Sequence, residues 1–139
     1  MVIVDTSAWI EFFRRDGNLK VKLAVKALLD EYEATLCGPV EMEFLGGAFP
    51  HERPKIQAWF DIIPYLPNDQ KIWRKAAETY AGLRIKGVTI PWNDILIANL
   101  SIEHGHRIYA VDRHFEVMAD HLPLRIYEPG YNGGFSPEE

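Results

Sequence analysis

The sequence predicts an α/β fold: one domain with a central parallel sheet of four to five strands and helices on both faces. Three observations point there. Val2-Ile3-Val4 and Ile108-Tyr109-Ala110-Val111 are short apolar runs without polar alternation, the signature of strands buried on both faces. Stretches of helical periodicity separate such runs, which is the order of βαβ units. Right-handed crossovers between parallel strands then put helices on both sides of the sheet.

The elements follow in order. Val2-Ile3-Val4 is the first strand, and it stops at Asp5. Thr6 or Ser7 can cap the helix that Ala8-Trp9-Ile10 begins. After Arg14-Arg15-Asp16-Gly17-Asn18, a helix from Leu19 to Glu33 shows a stripe of Val21, Ala27 and Leu28. Ala34-Thr35-Leu36-Cys37 reads as the second strand, and Gly38-Pro39 opens a helix with proline in its first turn. That helix carries Glu41 and Glu43. A further helix covers Pro54 to Phe60, and the strand Asp61 to Pro67 belongs at a sheet edge because of its prolines. Asn68 or Asp69 caps a long helix from Gln70 to Lys86. The helix from Trp92 to His104 is apolar nearly all round and therefore central, with Asn93 as a cap and Gly105 as its stop. Arg107 to Val111 is the fourth strand, closed by Asp112, and Leu124 to Tyr127 is a weak fifth. Residues 1–127 form the domain; 128–139, rich in Gly, Pro and Glu, form an extended or disordered tail.

Composition narrows the classes. With 139 residues, 47% hydrophobic and 25% charged, the chain suits one soluble domain. No apolar run approaches the roughly 18 residues that span a bilayer. Asp5 interrupts the opening apolar run, so no signal-peptide pattern forms, and a cytoplasmic address with no membrane partner is the expectation. The single cysteine, Cys37, excludes an internal disulfide. A net charge of −5 argues against a protein that coats nucleic acid generally, but not against a local basic patch.

Acids gather at one edge of this arrangement. Asp5 and Asp112 each end a strand, Asp94 lies in the first turn of the central helix, and Glu43 follows the second strand. In an open α/β sheet, ligands bind beyond the carboxyl ends of the strands. Two carboxylates 4–5 Å apart repel by roughly 3–4 kcal/mol at an effective dielectric of 20. Four together must raise their pKa values or hold a cation. With only oxygen donors on offer and no Cys or His at ligand spacing, the cation is Mg²⁺ or Mn²⁺, which can activate water for phosphodiester hydrolysis. Each acid also has a plain structural role to set against this, as a helix cap, a dipole partner or a turn residue.

Four segments strengthen the catalytic reading. Val-Asp-Thr-Ser-Ala-Trp-Ile at 4–10, Met-Glu-Phe-Leu-Gly-Gly at 42–47, Ile-Pro-Trp-Asn-Asp-Ile-Leu-Ile-Ala at 90–98 and Val-Asp-Arg-His-Phe at 111–115 resemble, in order, the motifs of PIN-domain ribonucleases. The nearest likeness is to the VapC toxins of toxin–antitoxin pairs, and it spans residues 2 to 127. The resemblance implies a PIN-like fold and a metal-dependent endoribonuclease of structured RNA such as tRNA. It also implies a homodimer held inactive by a VapB antitoxin. The matching positions are Asp5, Glu43, Asp94 and Asp112, as catalytic residues and as ligands of Mg²⁺ or Mn²⁺. The match to Glu followed by Phe-Leu-Gly-Gly favours Glu43 over Glu41, since two residues on a helix are about 200° apart.

Ser7 and Thr6 are supporting residues; Arg113, His114, Arg14 and Arg15 are candidates for contact with substrate phosphate. Ala110 departs from the family pattern, which often has Thr or Ser there. That departure keeps an alternative open: a catalytically idle RNA-binding or regulatory module of the same fold. A domain phosphorylated on Asp5 ranks last, because no later strand end offers a partner lysine.

Overall fold

Val2, Ile3 and Val4 have no exposed surface and form β1 (Val2–Val4) in the middle of the sheet, in a computed structural model that describes residues 1–138. β2 (Ala34–Cys37) pairs with one side of β1 and β4 (Arg107–Tyr109) with the other; β3 (Tyr65–Leu66) lies beyond β2. The order is β3-β2-β1-β4, and every pairing is parallel. Neighbours on both sides and layers above and below explain why the first run alternates with nothing polar.

β3 keeps only two residues of the longer strand expected from Asp61 to Pro67. Pro64 and Pro67 flank it and cannot donate to a ladder, which confines it to the edge. The weak fifth strand contracts to one parallel bridge between Ile108 and Ile126. Ile108 N donates to Arg125 O at 3.0 Å and Tyr127 N to Ile108 O at 2.7 Å.

Among the described residues seven α-helices surround the sheet: α1 (Thr6–Phe13), α2 (Leu19–Asp30), α3 (Gly38–Gly47), α4 (Arg53–Phe60), α5 (Gln70–Ile85), α6 (Trp92–His104) and α7 (His114–Ala119). α2 stops at Asp30 rather than Glu33, because Tyr32 takes a left-handed φ of 56° that turns the chain into β2. α6 is buried from Asp94 through Ser101. Its interior Asn99 is satisfied by Thr79 Oγ1, which donates to Oδ1 at 3.2 Å, and by donating to Ile95 O at 2.8 Å. Trp9 anchors α1: its ring lies 5.8 Å from those of Phe12 and Phe13 and 5.4 Å from Phe60 on α4. α7 was not foreseen, since six residues are too few to display helical periodicity.

Residues 128–138 contain neither strand nor α-helix, yet they pack back on the domain. Phe135 stacks on buried Tyr127, whose hydroxyl accepts from Ser136 N at 3.1 Å. Glu138 pairs with Arg107 at 3.4 Å and with Arg125 at 2.9 Å.

The sheet order carries the functional consequence. From β1 the chain moves to β2 and β3 on one side, and then crosses to β4 on the other. The carboxyl ends of β1 and β4 therefore flank a topological switch point, where open α/β sheets bind ligands.

Candidate active site at the carboxyl edge of the sheet

Asp5 leaves β1 beside the end of β4, with its backbone N–H donating to Tyr109 O at 2.9 Å. It is the N-cap of α1, the plain structural role open to it, in place of Thr6 or Ser7. The apolar strand delivers it in extended conformation, and its Oδ2 accepts from Ser7 N at 3.1 Å and from Ser7 Oγ at 2.6 Å. Ser7 Oγ in turn accepts from Val111 N at 2.9 Å. One hydroxyl thus ties the chain leaving β1 to the chain leaving β4. Thr6 is buried and its hydroxyl has no partner.

The other oxygen of Asp5 is buried without a hydrogen-bond partner among the described residues. Burial raises the Asp5 pKa to about 6; the Ser7 bonds oppose that rise, and the charges of Asp112 and Asp94 add to it. A buried carboxylate oxygen left unsatisfied is costly, and a cation is the partner that would offset it.

Asp94 stands in the first turn of α6, also buried. Burial pushes its pKa up, a hydrogen bond from His114 opposes, and Asp112 raises it further. His114 Nδ1 lies 2.6 Å from Asp94 Oδ2 and 4.0 Å from Asp112 Oδ1. Asp112 Oδ1 also accepts from His114 N at 3.0 Å, which fixes the start of α7. One ligand atom each from Asp94, Asp112 and His114 lies within 4.8 Å of the others.

Glu43 reaches this edge from α3 and is exposed. Asn93 Nδ2 donates to Glu43 Oε2, so Asn93 does not cap α6 as expected. Pro91 occupies the cap, which frees the Asn93 amide to bridge two helices. Glu43 also adds charge repulsion at Asp94. Glu41, half-buried, accepts no hydrogen bond and makes no ion pair among the described residues, whereas the exposed Glu43 is the one bonded to α6.

Of the four basic candidates, only His114 meets the acids. Arg14 lines a neighbouring groove of about 620 Å³ that Glu43 shares, and is itself paired with Glu11 at 2.9 Å. Arg15 and Arg113 are exposed and make no ion pair among the described residues. Sequence reasoning missed the part of His114 in the acid cluster and the clamp of Asn93 on Glu43. The signal for His114 was its spacing two residues after Asp112, whose Oδ1 accepts from the His114 backbone N–H and so keeps it at the same edge. No local pattern announced the Asn93 bond, because α3 and α6 are far apart in the chain.

A family model described as the PIN domain matches residues 2–121. This chain is a PIN-domain protein. It is 39% identical over 124 residues to VapC ribonuclease Mb1587 of Mycobacterium bovis and equally to ribonuclease VapC11 of Mycobacterium tuberculosis. Each match covers 86% of this chain and 92% of the relative, which places the PIN domain among the VapC ribonucleases. Its fold also matches a chain in the crystal structure of VapBC2 from Rickettsia felis bound to a promoter DNA fragment. There the TM-score is 0.73 at 15% identity, covering 91% of this chain and 98% of that one. The four segments that suggested the family at 4–10, 42–47, 90–98 and 111–115 all lie inside the matched PIN-domain residues.

Proposed function

We propose that this PIN domain is a divalent-metal-dependent endoribonuclease, the toxin of a toxin–antitoxin pair, with Asp5, Glu43, Asp94 and Asp112 as its catalytic acids. The observation that carries this reading is the meeting of Asp94, Asp112 and His114 within 4.8 Å, together with a buried Asp5 that feels the charges of both those acids and has one oxygen unpartnered among the described residues. Those donors fit a hard or borderline divalent cation, Mg²⁺ or Mn²⁺. Such an ion supplies an activated water and neutralises charge at a phosphate.

The residues divide the rest of the work. Asp5, Asp94 and Asp112 hold the centre at the switch point. Ser7 fixes Asp5 and the end of β4 in register. Glu43, held by Asn93, stands at the rim, where it can orient the attacking water. The water oxygen bonds to phosphorus as the bond to the 3′ oxygen breaks, leaving a 5′-phosphate and a 3′-hydroxyl. Arg14 in the adjoining groove, with Arg15 and Arg113 nearby in sequence to the site elements, offers positive charge for a folded RNA such as tRNA.

The names of the structural neighbours, VapBC complexes of toxin–antitoxin systems, support a VapB-type antitoxin as partner, and an RNA substrate accords with the cytoplasm as the place of action. Among the described residues no helix is long and apolar enough to cross a membrane. A homodimer is supported by exposed Met42, Trp73 and Trp92 around a cavity of about 470 Å³.

Purified protein should cleave RNA with Mg²⁺ or Mn²⁺ and not with excess EDTA, and Asp94→Asn should abolish cleavage. Equal cutting in EDTA overturns the mechanism. Expression should arrest growth, relieved by the product of an adjacent gene. The idle-module reading rests on Ala110, which lacks the hydroxyl common in the family. It gains if the cation neither raises the melting temperature nor supports cleavage. Against it, Ser7 supplies a hydroxyl 2.9 Å from Val111 N, beside that corner.

A further inference from the structure

The acids just described share their site with an imidazole that is held as firmly as they are. His114 opens α7, and its backbone N–H is tied to Asp112 Oδ1 at 3.0 Å. Phe115 and Met118, both buried, pin that helix to the core. The ring is therefore directed by the fold, with Nδ1 turned to Asp94 at 2.6 Å while the side chain keeps nearly half of its exposure. No other histidine belongs to this cluster among the described residues.

We infer that His114 is a direct nitrogen ligand of the bound cation, making this a mixed oxygen–nitrogen centre that prefers Mn²⁺ to Mg²⁺. The inference rests on the metal-dependent reading above and specifies its ligand set and its ion.

Distances favour ligation. Donors about 2.1–2.2 Å from one ion stand about 3 Å apart when adjacent and a little over 4 Å apart when opposite. The mutual span of Asp94, Asp112 and His114, at most 4.8 Å, nearly meets that range. Ligation asks Nδ1 and Asp94 Oδ2 to part from 2.6 Å to about 3 Å, a movement of a few tenths of an ångström. With its proton on Nε2, Nδ1 would offer its lone pair to the ion from the position it now holds against Asp94.

The ion preference follows from the donor. Mg²⁺ keeps to oxygen and gains little from an imidazole, whereas affinity for nitrogen rises along the first transition row from Mn²⁺ onward. An all-carboxylate site lacks that discrimination.

Electron paramagnetic resonance of Mn²⁺ added to the full chain tests this without reference to cleavage. Loss of the free Mn²⁺ signal reports binding, and pulsed spectra report nitrogen hyperfine coupling. The expected result is a directly bonded nitrogen whose coupling changes when histidine carries ¹⁵N and vanishes in His114→Gln, while Mn²⁺ still binds. Competition with Mg²⁺ should show the Mn²⁺ preference falling about tenfold or more in that variant. Binding of Mn²⁺ without nitrogen coupling, or an unchanged preference in His114→Gln, overturns the inference and leaves the acidic metal site standing. No binding of Mn²⁺ to the folded wild-type chain, checked by circular dichroism, overturns both.

Discussion

Ser7 Oγ donates to Asp5 Oδ2 at 2.6 Å and accepts from Val111 N at 2.9 Å, so one side chain couples the key acid of β1 to the end of β4. Removing that hydroxyl in Ser7→Ala deletes a bond that favours the charged carboxylate. The Asp5 pKa should then rise above its present value of about 6. The acid limb of the activity profile should move to higher pH, and stability should fall by about 1–2 kcal/mol. Cleavage rates across pH and thermal melting measure the two effects.

The buried acid makes stability depend on pH in a direction opposite to ordinary surface carboxylates. Asp5 titrates near 3.8 when exposed and near 6 in the fold, because burial disfavours its charge. Folding therefore holds a proton in that window. Its contribution is fully present below pH 3.8 and is lost as pH rises through about 6, a change of about 3 kcal/mol at most. In EDTA, Asp5→Asn should be more stable than the wild type at neutral pH, and the gap should close toward pH 4. Asparagine keeps the cap of α1 and carries no buried charge. Paired melting curves at several pH values provide the check.

Much of this was legible in the residues themselves. Val2-Ile3-Val4 and Ile108-Tyr109 are apolar enough to be buried strands; Asp5 directly follows the first, and Asp112 follows β4 after Ala110-Val111, which the structure leaves outside the strand expected to reach Val111, so the carboxyl edge was visible beforehand. The trimming of β3 and the shrinkage of the fifth strand to one bridge depend on which backbone groups find partners across the sheet. A strand pattern cannot decide that alone. The same limit hid the bond between Asn93 and Glu43, which joins helices 50 residues apart in sequence. His114 was visible as a residue but not as a neighbour of Asp94, because that contact depends on how α7 packs.

Asn93→Ala should leave the fold nearly unchanged and release Glu43 from α6. A lost outer partner of this kind typically costs 10–100-fold in activity or metal affinity. The expected result is a loss of about tenfold in kcat with a melting temperature within a few degrees of wild type. Steady-state cleavage and calorimetry would show it.

In the C-terminal segment Gly133 takes a φ of 78°, and an added Cβ would lie 2.9 Å from Leu23 Cβ on α2. Gly133→Ala should therefore loosen the docked C-terminal segment and cost about 1–3 kcal/mol. Cleavage should be unchanged at temperatures where the protein stays folded. Hydrogen exchange of the amides around Tyr127 and Ser136 reports the loosening directly.

The central claim is that carboxylates from β1, α6 and the end of β4 share one divalent ion. Anomalous diffraction from crystals soaked in Mn²⁺ measures this most directly. The account predicts a peak within about 2.5 Å of carboxylate oxygens of Asp5, Asp94 and Asp112 together. A peak elsewhere, or none at this edge under saturating Mn²⁺, would contradict it.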